Sequence, residues 1–192
     1  MGQRLSLLIG LAFVNNAVLT RFLGLYPILA MRTQLADSMV LGLAMVSIVV
    51  AAAAACAALE AHVLRALGFE SLSLVAYMIV IASLAGAATL ALRALDRLRF
   101  ERIKAEMPLL TANCAALGVV LSATAVQRSV LGATLDALAA AVGFLVVLAL
   151  LCALRERLDD AAVPARLRGA PILLVTAGLL SLAFAGLQGF GA

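Results

Sequence analysis

Six long apolar runs follow one another along the chain, approximately Leu5–Leu29, Ser38–Leu59, Leu72–Leu92, Met107–Val126, Val130–Leu154 and Ala170–Leu187, and the short stretches between them carry most of the charge. A hydrocarbon layer roughly 30 Å thick takes about 20 residues of helix, so each run predicts one membrane-crossing helix. The runs are continuous and rich in Ala and Leu, whereas barrel strands alternate over about ten residues. The expectation is an all-α integral membrane protein, a single membrane domain over residues 1–192. The first run carries one arginine, Arg4, lacks a clear small-residue cleavage site and is followed by five more runs, so it reads as a retained helix.

Six helices divide into two groups of three, about 1–95 and 96–192, and an odd number per group inverts the second group relative to the first. Each group opens on its most polar helix. Asn15 and Asn16 lie in the first run, and Thr111, Asn113 and Cys114 in the fourth. At helical rise Asn15 is about 15 Å from the Leu5 end, and Cys114 about 10 Å from the Met107 end. Helix breakers flank both clusters: Gly24 and Pro27 after the first, Pro108 and Gly118 around the second. The pattern predicts two inverted three-helix repeats with discontinuous first and fourth helices, a layout that places functional sites at the midplane. The same residues also suit a plainer reading, in which Asn and Thr bond across helices and Pro108 starts one.

Composition agrees with the pattern: 66% of the residues are hydrophobic and 12% charged, with a mean hydropathy of +1.17. The net charge of +4 does not indicate nucleic acid, because no soluble basic face is present to receive it. It reports topology instead. Eleven of the fourteen Lys and Arg residues fall around the first, third and fifth connections (Arg21, Arg32, Arg93, Arg97, Arg99, Arg102, Lys104, Arg155, Arg157, Arg166, Arg168), and only Arg4, Arg65 and Arg128 lie elsewhere. The positive-inside bias therefore places both termini on the outer side.

Soluble-enzyme signatures are absent: no Gly-rich phosphate loop, His-Glu zinc motif or Cys-x-x-Cys pair occurs. Cys56 and Cys152 sit in apolar runs and read as small buried hydrophobes. Asp96, Glu101 and Glu106, and Arg155-Glu156-Arg157 with Asp159 and Asp160, read as hydrated loop faces. His62 beside Glu60 reads as interfacial. Asp136 has two readings: an ionisable group about 9 Å deep in the fifth helix, or a headgroup-level residue if that helix begins near Leu138.

Several segments together resemble a known family. Val14-Asn15-Asn16-Ala17-Val18-Leu19, Phe22-Leu23-Gly24-Leu25-Tyr26-Pro27, Pro108-Leu109-Leu110-Thr111-Ala112-Asn113-Cys114, Arg155-Glu156-Arg157-Leu158 and Thr176-Ala177-Gly178-Leu179 are similar to RnfA-type subunits of Rnf electron-transport complexes, and more distantly to NqrE. The resemblance implies a non-catalytic membrane subunit of a bacterial inner-membrane translocase that moves electrons between NADH and ferredoxin or flavodoxin, coupled to an ion gradient. It implies pairing with an inverted RnfE-like paralogue, further partners of the RnfB, RnfC, RnfD and RnfG types, and a [2Fe-2S] cluster shared between the paired subunits. Family members contribute two cysteines each to that cluster. Here Cys114 matches one, with Asn113 beside it, while Tyr26 stands where the other is expected and Asn16 lies in the matching polar segment. Tyrosine is a harder ligand than thiolate. Three states follow: three cysteines plus Tyr26 or another ligand, with Cys56 or Cys152 as substitutes if their helices face the site; an altered centre; or a structural pairing without one. Gly86 and Thr89 replace a Gln and a Glu of the family, removing an acid proposed for cation handling, and Gly86-Ala87-Ala88 then suits close helix packing. A six-helix exporter of ions or small solutes is the competing expectation, since inverted repeats serve it equally well, and an assembly scaffold is a third.

Overall fold

The computed structural model describes residues 35–68, 70–104, 114–125, 129–159, 164 and 166–186. The elements are α1 (Leu35–Leu59), continued by a π-helical turn (Glu60–Leu64) and a last α turn (Arg65–Leu67); a 3-10 turn (Glu70–Leu72); α2 (Ser73–Leu95); α3 (Arg97–Ile103); α4 (Cys114–Ala125); α5 (Val130–Asp159); and α6 (Ala170–Ala185). All regular structure among the described residues is helical. Three stretches, Met39–Leu64, Ser73–Leu95 and Val130–Leu158, are long and apolar enough to cross a membrane. The shorter apolar helices α4 and α6 fall within the fourth and sixth predicted runs. The first predicted run, with Asn16 and Tyr26, lies outside the described residues, as does Asn113.

Helix α1 is the centre of the bundle and packs most extensively on α5, then on α2 and α4. Its buried face is Leu41, Met45, Ile48, Ala52 and Cys56, a spacing of three and four that draws one stripe along a helix. The facing stripe on α5 is Ala133, Ala137, Ala141, Phe144, Leu148 and Leu151. In lipid, helices gain little from burying apolar area and associate through close packing, which small residues allow. The alanine run of α1 supplies this: Ala52 and Ala53 are fully buried, and Ala57 meets Ala123 of α4 and Ala133 of α5. The closest approach is at Gly42. A Cβ there would stand 2.5 Å from Leu145 Cδ1 and 2.8 Å from Leu148 Cδ2.

Helices α2 and α6 are peripheral. Only 17% of the apolar stretch of α2 is buried, against 44% for that of α1, because α2 buries Tyr77, Ile81 and Ala85 and packs Ala76, Val80, Leu84, Ala88 and Leu92 only partly against the core. Leu74, Val75, Met78 and Ile79 face outward, as suits a helix whose other surroundings are hydrocarbon. Gly86 has no atom within 4 Å of a hypothetical Cβ, so the expected close packing at Gly86 is not made within the described bundle; the buried small residue is its neighbour Ala85. Helix α6 buries only Leu173 and Ala177, starts with Pro171 in its first turn and leans on α5.

Local signals set the boundaries. Gly68, at φ 70°, ends the α1 extension in the left-handed region that a Cβ disfavours. Ser129 caps α5, its Oγ accepting the Gly132 N–H at 3.2 Å. Helix α5 therefore begins at Val130, which removes the alternative start near Leu138 and puts Asp136 inside the helix, half-buried. At its other end α5 runs to Asp159, so Arg155-Glu156-Arg157, expected in a loop, sits on the last helical turns. Thirty residues make about 45 Å of helix, longer than the hydrocarbon layer, and these charges ride on the excess.

Hydroxyls inside the helices bond their own backbones. Thr89 donates to the Ala85 carbonyl at 2.8 Å, Thr134 to Val130 at 2.7 Å and Thr176 to Ile172 at 2.8 Å. Across the short α3, Lys104 Nζ donates to Glu101 Oε2 at 2.5 Å. The hydrogen bond and charge of Lys104, with Arg97 and Arg93 farther off, hold the Glu101 carboxyl below its ordinary value. A depressed folded-state pKa contributes stability above the unfolded value and loses it as pH falls through the folded one. Both side chains are more than half exposed, so Glu101→Gln is expected to lower the melting temperature barely at neutral pH. The difference should vanish once the pH is taken below the carboxylate range, which paired melts of the two proteins check.

Candidate functional site

Cys114 is the only sequence-designated site residue among the described ones, and it opens α4 as an exposed, free thiol. The next two residues, Ala115 and Ala116, are buried against the bundle, so α4 is anchored immediately behind the thiol. Asn113, Asn16 and Tyr26 lie outside the described residues.

The other cysteines fail as co-ligands of Cys114 on geometric grounds. Ala57, Ala123 and Ala133 pack together and mark one level of the bundle. Cys56 adjoins that level, fully buried, while Cys114 lies nine residues before Ala123, about 14 Å away along the axis. Cys152 is nineteen residues beyond Ala133, about 28 Å from the same level and therefore about 14 Å or more from Cys114. A two-iron cluster spans only a few ångströms, so neither substitution considered from the sequence is possible within this fold. Among the described residues, no group of three or more His, Cys, Asp or Glu side chains could hold a metal. The donor set of the described chain is one soft thiolate. It fits a shared cluster and does not fit one held by these residues alone.

A second polar assembly occupies the Gly68 end of the bundle, and the sequence pattern did not disclose it. The π turn bonds the Arg65 N–H to the Glu60 carbonyl, one residue farther than α-helical geometry, and π turns recur at functional sites. Glu60 Oε2 accepts a hydrogen bond from the Tyr77 hydroxyl, and Oε1 accepts one from Arg65 Nη2 at 3.1 Å. Tyr77 is 1% exposed, and Thr124 of α4 lies against the same phenol while its hydroxyl donates to the Val120 carbonyl at 3.0 Å. Cys56 sits one turn below Glu60 on α1, and His62 Nδ1 is 2.9 Å from the Ala58 carbonyl, which selects the Nδ1–H tautomer. Glu60 and Tyr77 are seventeen residues apart. A carboxylate near a helix end and one tyrosine in an apolar run were the only sequence traces.

This assembly ties α1, α2 and α4 together. Tyr77→Phe removes the phenol donor without changing shape, and hydrogen bonds between membrane helices are worth about 0.6 to 1.7 kcal/mol. The variant is expected to fold and assemble with a loss of about 1 kcal/mol in a reversible detergent unfolding measurement, because Arg65 still partners the carboxylate.

The family described as Rnf-Nqr subunit, membrane protein, matches the chain over residues 4–190. The chain belongs to the Rnf-Nqr family. Relatives at full length agree: a protein of Vibrio cholerae serotype O1, named as the A-type subunit of an ion-translocating oxidoreductase complex, is 37% identical over 189 residues, covering 98% of each chain. Proteins of the same name from Edwardsiella ictaluri and Vibrio campbellii are 39% and 36% identical over the same span and coverage. As an Rnf-Nqr member the chain is a membrane subunit, in keeping with its apolar helices. Within that family frame Cys114 stands as an accessible thiol on an anchored helix, and the Glu60 assembly is a feature read from this chain's own structure.

Proposed function

We propose that this chain is the A-type membrane subunit of an ion-translocating Rnf complex, transferring electrons between NADH and ferredoxin or flavodoxin, with its activity belonging to the assembly. The observation that carries the reading is the pairing of full-length similarity to A-type subunits of ion-translocating oxidoreductase complexes with an exposed Cys114 fixed at the head of α4. Cys114 supplies one thiolate to a [2Fe-2S] cluster completed by an inverted RnfE-like partner and by a further ligand from this chain, with Tyr26, Asn16 and Asn113 around it. When bound, such a cluster passes single electrons. This chain's part is to hold the thiolate in place, since the buried Ala115 and Ala116 fix the backbone beneath it.

The reading includes two inverted three-helix repeats, about 1–95 and 96–192, with interrupted first and fourth helices. The positive-inside bias puts the Arg97 end of the bundle in the cytoplasm of a bacterial inner membrane, with both termini and the Gly68 turn facing the periplasm.

The test is purification from its native membrane. The chain is expected to co-purify with the other Rnf subunits, and the complex should carry an iron signal at the interface that responds to Cys114. A chain that transports ions or solutes in vesicles without any partner would establish the exporter instead.

A further inference from the structure

We infer that Glu60, Tyr77 and Thr124 form a binding site for a small monovalent cation at the Gly68 end of the bundle, with Arg65 as the resident counter-charge the cation displaces. The inference rests on the ion-translocating reading and locates a carboxylate for it in a chain that lacks the family's acid at Thr89.

Three oxygen-bearing side chains from three different helices converge there: the Glu60 carboxylate of the π turn, the Tyr77 phenol of α2 and the Thr124 hydroxyl of α4. Carboxylate, phenol and alcohol oxygens are hard donors suited to hard cations. The phenol is 1% exposed and Thr124 8%, so the site has a dry floor, while the Glu60 side chain keeps 21% exposure and opens it to solvent. The Arg65 side chain is 41% exposed. Its guanidinium can therefore leave Oε1 for water without a buried charge being stranded, which a fully enclosed ion pair would not permit. On sodium binding the carboxylate exchanges one positive partner for another and the phenol keeps its proton. The titratable or charged groups around Glu60 are Cys56, His62 and Arg65 on its own helix and Tyr77 on α2; α4 contributes the neutral Thr124.

The experiment uses the purified complex in lipid nanodiscs and records infrared difference spectra between sodium chloride and choline chloride at equal ionic strength, and across pH. The wild type should show a carboxylate band that changes with the cation, and Glu60→Gln should lack it while the complex keeps its iron signal. In Arg65→Gln the half-saturating cation concentration should fall roughly two- to fivefold, the worth of a partly exposed ion pair. A band that follows pH alone, with sodium and choline alike, overturns the inference. Identical spectra from wild type and Glu60→Gln overturn the inference, as does an unchanged half-saturation in Arg65→Gln, which would reduce the pair to a structural clamp. Neither result touches the relay assignment, whose test is at Cys114.

Discussion

Cys114→Ala is expected to remove the interface iron signal of the purified complex and to drop NADH-to-ferredoxin electron transfer to the background of the assay. The expectation is steep because the described chain has no spare thiol to take its place: Cys56 and Cys152 lie about 14 Å or more away along the bundle. Iron-sulfur clusters are held by four ligands, and a chain that already offers Tyr26 in one family position has no margin. Cys56→Ala and Cys152→Ala serve as matched controls and should retain the iron signal and most of the rate. Cys56→Ala removes a fully buried sulfur and costs stability only, on the order of 1 kcal/mol. Survival of both iron signal and electron transfer in Cys114→Ala would end the relay assignment.

Gly42→Leu is the structural change with the largest expected effect. The space beside Gly42 is already taken by the ends of Leu145 and Leu148, at 2.5 and 2.8 Å from where a first carbon would go. Alanine is tolerable there. The two leucine tips can rotate away at a cost of about 1 kcal/mol, and replacing helical glycine returns about the same amount. A leucine adds three further carbons with nowhere to go and must push α1 off α5, the most extensive contact in the described bundle. Overpacking of that kind costs about 3 kcal/mol or more. The expected outcome is near-normal thermal stability in detergent for Gly42→Ala and loss of folded chain for Gly42→Leu; equal stability of the two would show that α1 and α5 do not meet at Gly42.

Much of the architecture was visible in the sequence because lipid imposes a simple length rule. The runs Ser38–Leu59, Leu72–Leu92 and Val130–Leu154 reappear as α1, α2 and α5 with ends displaced by a few residues. The displacements have local causes. Apolar counting stops at Arg155, yet nothing in Arg-Glu-Arg-Leu breaks a helix, so α5 continues. At Asp136 the alternative start near Leu138, which would have left its charge among the headgroups, gives way to the Ser129 cap, which starts the helix at Val130 as the apolar run predicts. Of the small-residue stretch Gly86-Ala87-Ala88, Ala88 packs against the core while nothing described comes within 4 Å of a Cβ at Gly86, because small residues permit close packing without specifying which face is used. Cys114 is singled out by its motif, and the structure places it exposed on α4. The Glu60 assembly was not legible, since its members are spread over α1, α2 and α4, and no local pattern links a π turn to a tyrosine beyond the Gly68 reversal.

The length of α5 sets a mechanical condition on everything fastened to it. A rod of about 45 Å in a layer of about 30 Å must either lean or overhang, and α1 is seated against it along Gly42 and cannot lean independently. Thinning the surrounding bilayer would then swing the two rods as one, carrying the Gly68 end and the head of α4 through an arc together.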